Sequence, residues 1–123
     1  MTVSMRSLFG RGKRGDVLID IKDLQALAVD IDNFMITKHM TKRFYERNIK
    51  LRFIQDAVSN GEIIEQYPND YPYPSCLMLN FLNGETPIHV CVGLGEGRLW
   101  IITAYYPNTD EWEDDFKTRK AGN

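Results

Sequence analysis

The chain of 123 residues has little cysteine and no long apolar run. Its two cysteines, Cys76 and Cys91, lie 15 positions apart and form no C-x-x-C pair, which excludes a disulfide framework and a zinc ribbon. A membrane-spanning helix needs about 18 or more apolar residues in succession, and none are present. The basic N-terminal stretch lacks the apolar run of a secretory signal, so we expect a cytoplasmic protein.

The composition is that of a globular domain. Hydrophobic residues make up 43% of the chain and charged residues 26%, both ordinary values for a folded protein. A chain of this length buries enough surface on folding to hold a core without disulfides or metals. The sequence therefore predicts one domain over residues 16–123, preceded by a flexible basic arm over residues 1–15.

Basic residues are concentrated although the net charge is −2. Residues 38–52 carry six lysines and arginines against one acid, Glu46. Residues 1–15 carry four basic residues and no acid. Because an electrostatic footprint depends on the local field and not on the total charge, the acidic average does not exclude an anionic partner.

Helical spacing of apolar residues predicts three helices in the first half of the chain, over residues 20–34, 38–47 and 51–60. Asp20 and Thr37 are suitable N-caps for the first two. Asn48 can take the left-handed position after the second helix, where glycine is more usual. The third helix should turn Leu51, Ile54, Ala57 and Val58 inward and end at Asn60-Gly61.

After Gly61 the apolar period changes to two, which predicts four strands over residues 62–67, 75–82, 86–93 and 98–106. Asn83-Gly84 is typical of a hairpin turn. Helices followed by an antiparallel meander indicate an α+β fold in which the N-terminal helices pack on a four-stranded antiparallel sheet. The tail over residues 108–120 is expected to form a short helix or tail that docks Trp112 and Phe116.

Alternation predicts which side chains share a sheet face. With a two-residue turn Leu77 pairs with Val90, so the apolar residues of the two central strands would form one face, and His89 would lie on the other. The shared apolar face comprises Leu77, Leu79, Phe81, Ile88, Val90 and Val92. Cys76 and Cys91 would then lie together on the second face, and we expect both to be reduced and free of metal.

The first candidate site is a helical stripe. Steps of four residues align His39, Arg43 and Arg47. Guanidinium groups hold phosphate, and a neighbouring imidazole can move a proton. The alternative interpretation is a solvated basic helix face.

The second candidate site is His89 with Tyr105 and Tyr106 on the next strand, which could supply an acid, a base or a stacking surface. The alternative is a half-buried structural histidine with tyrosines at the edge of the core. A zinc site built from His39, His89, Cys76 and Cys91 is disfavoured because nothing brings four ligands together. We therefore expect no metal and no cofactor.

Several separated motifs resemble the bacterial domain of unknown function 4258. They are ITKHMTKRFYERNI, NGEIIEQYPNDYPYPSCLML, PIHVCVGL and LWIITAYYP…WEDDFKTRK, spread over about residues 34–120. The family's helical His-x3-Arg-x3-Arg is matched by His39, Arg43 and Arg47, its strand histidine by His89, and its threonine–tyrosine strand by residues 103–107. Asn48 departs from the family's glycine, and residues 1–33 lie outside the resemblance.

The order of elements implied by this resemblance is similar to that of RelE-type ribonuclease toxins, an analogy at the level of fold. It implies an RNA-binding protein or a metal-independent ribonuclease in which the 2′-hydroxyl is the nucleophile. Catalytic candidates are His39, His89 and Tyr105, and substrate-binding candidates are Arg43, Arg47, Lys42 and Tyr106. The alternative is a non-enzymatic module whose basic stripe binds an acidic protein, such as a cognate antitoxin, or the chain's own acidic C-terminal region. Neither a membrane nor a specific DNA sequence is an expected partner.

Overall fold

The computed structural model describes residues 18–121, so the expected basic arm lies outside the described residues. Three α-helices precede the main strands, in agreement with the predicted order. They are α1 (Ile21–Ala28), α2 (Lys38–Glu46) and α3 (Leu51–Asn60). No helix in this part of the chain has the length and apolar character needed to cross a membrane.

The sheet has five strands and is mixed, so the prediction of four antiparallel strands is wrong. The strands are β1 (Phe34–Met35), β2 (Glu62–Tyr67), β3 (Ser75–Leu82), β4 (Thr86–Gly95) and β5 (Arg98–Tyr105), in the spatial order β1-β5-β4-β3-β2. β1 runs parallel to β5, with Phe34 opposite Leu99. Two residues are too few to show strand periodicity, and their partner is distant in sequence, so the pattern gave no signal.

The predicted helix caps are confirmed. The Asp20 carboxylate accepts from the amide of Lys22 at 2.9 Å, and the Thr37 hydroxyl accepts from the amide of Met40 at 3.1 Å. The first helix ends at Ala28 and not at Phe34. Asp30 begins a separate 3₁₀ turn over Ile31–Asn33, whose cap bond from the amide of Asp32 competes with continued helix.

The β3–β4 hairpin has a three-residue loop, and the assignment of faces in β3 was therefore wrong. Leu82 pairs with Thr86, which places Leu77 opposite Cys91 instead of Val90. Met78 and Val90 face the helices, whereas the set Leu77, Leu79 and Phe81 shares the second face with His89 and Cys91. The run Cys-Leu-Met-Leu in β3 is apolar on both sides and carries no alternation that could select a face.

Cys76 and Cys91 are not joined by a disulfide, and the prediction that they share a face is wrong. Cys76 belongs to the helix-covered core, and Cys91 packs with Leu77 and Trp112 on the other side of the sheet. Burial raises the pKa of the Cys76 thiol to about 12 and that of Cys91 to about 11. Neither thiol is a ready nucleophile at neutral pH.

Residues 107–121, called the C-terminal segment below, form no helix among the described residues. They fold as successive turns closed by a bridge between Trp112 and Arg119 and cover the second face of the sheet. The docking of Trp112 and Phe116 was predicted correctly. Trp112 is only 2% exposed, and Phe116 packs beside it.

Candidate functional site

α2 presents one exposed basic surface. The side chains of His39, Lys42 and Arg43 are all exposed, and no side-chain hydrogen bond or ion pair joins any of them to another described residue. We call these three residues the basic helix surface. The spacing that predicted His39 and Arg43 on one stripe is confirmed, because both lie on α2 one turn apart. The helix buries a single side chain, Phe44, so most of its circumference faces solvent.

Arg47 caps the same helix but points to the sheet. Its Nη1 donates to the Ala104 carbonyl oxygen at 2.8 Å and lies 3.5 Å from the Thr103 hydroxyl. Among residues 18–121, β1 pairs only with the start of β5, so within this part of the chain the Ala104 carbonyl lies on a sheet edge without a partner strand, and Arg47 bonds to it there. The guanidinium of Arg47 thus joins α2 to β5.

Tyr106 makes a second tie at the same corner. Its hydroxyl donates to the Asn48 carbonyl oxygen at 2.8 Å. Asn48 has the predicted left-handed conformation, with φ of 58°. Together, Arg47 and Tyr106 fix the end of α2 against the last residues of the sheet.

The turn from α2 into α3 is a Schellman motif. The amide of Ile49 donates to the Phe44 carbonyl at 2.8 Å, and the amide of Asn48 donates to the Tyr45 carbonyl at 3.2 Å. Ile49 and Phe44 are both buried in the helix-covered core. These contacts set the angle between the two helices.

A shallow cleft of about 270 Å³ opens at this turn. It is lined by Ile36, Thr41, Phe44, Tyr45, Ile49, Lys50 and Leu51. Tyr45 is 84% exposed, and Leu51, predicted to turn inward, is exposed as well. Sequence reasoning missed Tyr45, although its position next to the buried Phe44 turns it away from the core.

His89 is fully buried on the second face of the sheet. Its Nε2 lies 2.8 Å from the Phe116 carbonyl oxygen, and its Nδ1 lies 3.1 Å from the Tyr105 hydroxyl. A carbonyl only accepts, so Nε2 carries the proton, and Nδ1 of the neutral ring accepts from Tyr105. The ring of Trp112 meets the imidazole edge to face at 4.5 Å.

Burial keeps this imidazole neutral. Loss of solvent lowers the pKa of His89 and outweighs the Phe116 hydrogen bond, which acts in the opposite direction. Burial likewise raises the pKa of Tyr105. Both ring nitrogens of His89 are engaged while the C-terminal segment is in place.

An ion pair holds the C-terminal segment near this histidine. Arg119 donates to both carboxylate oxygens of Glu65, at 2.9 and 3.0 Å, and its guanidinium lies 4.5 Å from the centre of the Trp112 ring. The Tyr67 hydroxyl donates to the same carboxylate. Arg119 is the main cause of the lowered pKa of Glu65.

The predicted site residues therefore form three groups. His39, Lys42 and Arg43 share the exposed helix, Arg47 and Tyr106 join that helix to the sheet, and His89 and Tyr105 meet beneath the C-terminal segment. No hydrogen bond in the described part of the chain links His39 to His89. The two histidines are separate features.

Comparison with known proteins agrees with the resemblance seen in the sequence. The family model described as Domain of unknown function (DUF4258) matches residues 36–106, which is more than half of the chain. The protein belongs to this family. The matched region contains every candidate site residue and ends before the C-terminal segment. No curated protein and no solved structure matches the chain, so the likeness to RelE-type toxins has no support beyond the analogy of element order.

Proposed function

We propose that this DUF4258 protein binds RNA through the basic helix surface. The observation that carries the proposal is that the side chains of some candidate residues are hydrogen-bonded within the protein and those of others are not. The side-chain polar groups of Arg47, Tyr106 and His89 are bonded within the protein, whereas the ammonium of Lys42 and the guanidinium of Arg43 have no side-chain partner among residues 18–121.

Phosphate is the ligand that suits these groups. A guanidinium offers a fork of donors to phosphate oxygens, and an ammonium adds a point charge. Contacts of this kind supply most of the affinity of sequence-independent nucleic-acid binding. Side chains on a fixed helix can follow a phosphate backbone without a preformed pocket.

The acidic C-terminal segment is a poor internal partner for this surface. The ion pairs described for this segment are formed with β2: Lys117 pairs with Glu62 at 3.2 Å, and Arg119 pairs with Glu65. The segment is thus held on the sheet by its own basic residues. This arrangement favours an external anion as the ligand of α2.

Binding is favoured over cleavage by the positions of the two histidines. General acid–base cleavage of RNA needs groups that are positioned on both sides of the reacting phosphate. His39 is exposed and has no described partner that would orient it, and both nitrogens of His89 are occupied. We therefore propose binding without cleavage.

The test measures RNA affinity by fluorescence anisotropy for wild type, Lys42→Ala, Arg43→Ala and the double variant. Lys22→Ala is the matched control, since Lys22 is an exposed lysine on α1. We expect the double variant to lose about tenfold or more in affinity at low salt while the control keeps the wild-type value. RNA incubated with excess EDTA should stay intact. Equal affinities for the double variant and wild type would refute the assignment of α2.

A further inference from the structure

The cleft between α2 and α3 has an aromatic and apolar wall beside basic residues, and the phosphate contacts proposed above do not involve that wall. We infer that it holds one unpaired base of the RNA, stacked on the ring of Tyr45. This inference rests on the proposed function and specifies the class of RNA, which is single-stranded.

The aromatic ring is available for stacking. Tyr45 is 84% exposed, and neither its ring nor its hydroxyl has a described partner within residues 18–121. The rest of the cleft wall includes Ile36, Phe44 and Leu51, whose apolar atoms can contact a base edge. At about 270 Å³ the cleft lies just below the usual range of about 300–1,000 Å³ for small-molecule sites. The cleft is thus the size of a small site, and the exposed ring of Tyr45 supplies the flat surface in it.

Charge around the cleft selects an anionic occupant. Lys50 lines it, and Lys42 precedes Tyr45 by three positions, which places the two as neighbours on the helix surface. Glu46 is the one acid in α2. A nucleotide combines a flat π-face with a phosphate, and the cleft offers an aromatic ring beside two ammonium groups.

The RNA at this cleft must be single-stranded because the Tyr45 ring needs access to the face of a base. In an A-form duplex the bases are stacked on one another, and proteins contact mainly the backbone and the 2′-hydroxyls. In a single strand each base can turn out and stack on a protein aromatic. The Tyr45 contact is therefore available to single-stranded RNA, whereas the basic helix surface can bind both forms.

The experiment compares wild type, Tyr45→Ala and Tyr45→Phe. Each is titrated with a single-stranded oligonucleotide and with a blunt duplex of the same length, at one salt concentration. Removal of one base-stacking aromatic costs about 1–3 kcal/mol, a loss of roughly 5- to 150-fold. We expect a loss in this range for Tyr45→Ala on the single strand, an unchanged affinity for the duplex, and near wild-type values for Tyr45→Phe. Thermal unfolding should be unchanged because the side chain is exposed.

The outcomes separate the two proposals. Equal losses on single strand and duplex, or no loss for Tyr45→Ala, would overturn the stacking site and leave RNA binding by Lys42 and Arg43 intact. Absence of RNA binding by wild type would overturn both, and is the result that an acidic protein partner at this cleft would give. Loss in Tyr45→Phe equal to that in Tyr45→Ala would also overturn stacking, since the ring remains.

Discussion

The Nε2 of His89 donates to the Phe116 carbonyl oxygen at 2.8 Å, a bond between a central strand and a residue 27 positions later. Phe116 has φ of 58°, in the left-handed region that bulky residues rarely adopt. The hydrogen bond and the packing of Phe116 against the second face hold it there. His89, inside the matched family region, thus anchors a segment that lies beyond that region.

Stability should depend on pH through this histidine. Burial lowers the pKa of His89 below its ordinary value of 6.5, so the unfolded chain binds the proton more readily than the folded one. Stability is therefore fully present above pH 6.5 and is lost as the pH falls through that value toward the folded pKa. We expect urea midpoints to drop between pH 7 and pH 5.

The matched variants are His89→Gln and His39→Gln. His89→Gln should lower the free energy of unfolding at pH 7 by about 1–3 kcal/mol, because buried partners lose their bonds, and should flatten the pH dependence. His39→Gln changes an exposed imidazole and should leave the free energy of unfolding at pH 7 unchanged. An unchanged pH slope in His89→Gln would contradict the assignment.

Arg119 should decide how firmly the C-terminal segment is held. It pairs with both oxygens of Glu65 and stacks on Trp112, whereas Lys117 makes one exposed ion pair with Glu62. Arg119→Ala should speed proteolytic trimming of the segment several-fold, which corresponds to about 1 kcal/mol. Lys117→Ala should have little effect. Trimming of Arg119→Ala at the wild-type rate would show that the Glu65 pair contributes nothing.

Substitution of Arg47 should affect stability, whereas substitution of Arg43 should affect RNA binding. Arg47→Ala removes the donor to the Ala104 carbonyl and should destabilise the fold by about 1–3 kcal/mol in chemical denaturation. Arg43→Ala removes an exposed side chain and should leave the denaturation midpoint within error while weakening RNA binding. A stable Arg47→Ala variant together with a destabilised Arg43→Ala variant that binds RNA normally would contradict the assignment of Arg47 to the fold and of Arg43 to RNA binding.

Asn48 should accept glycine but not valine. Its φ of 58° suits glycine best, and its amide must stay in the Schellman motif with Tyr45. Asn48→Gly should leave stability unchanged or raise it slightly, whereas Asn48→Val should cost about 1–2 kcal/mol. Differential scanning calorimetry measures both, and a stable Asn48→Val protein would contradict the conformation.

Local signals explain what could be predicted from the sequence. The caps at Asp20 and Thr37, the left-handed Asn48 and the bounds of β2 and β3 each depend on a few neighbouring residues, and each was predicted correctly. The stripe of His39 and Arg43 likewise follows from helical spacing alone.

Features that depend on distant partners could not be read in this way. β1 exists because Phe34 and Met35 meet β5, and the face of β3 follows from a one-residue change in loop length. Helical spacing aligns Arg47 with His39 and Arg43, yet the Arg47 side chain bonds to the Ala104 carbonyl at the edge of the sheet. Spacing placed these residues on one element but could not tell which of them were already bonded.

Salt dependence of RNA binding tests the central claim most directly. Each cation that contacts phosphate on a single strand contributes about 0.7 to the slope of log affinity against log salt. The slope for Lys42→Ala/Arg43→Ala should therefore be shallower than that of wild type by about 1.4, with Lys22→Ala unchanged. A double variant with the wild-type slope and affinity would show that the basic helix surface does not contact RNA.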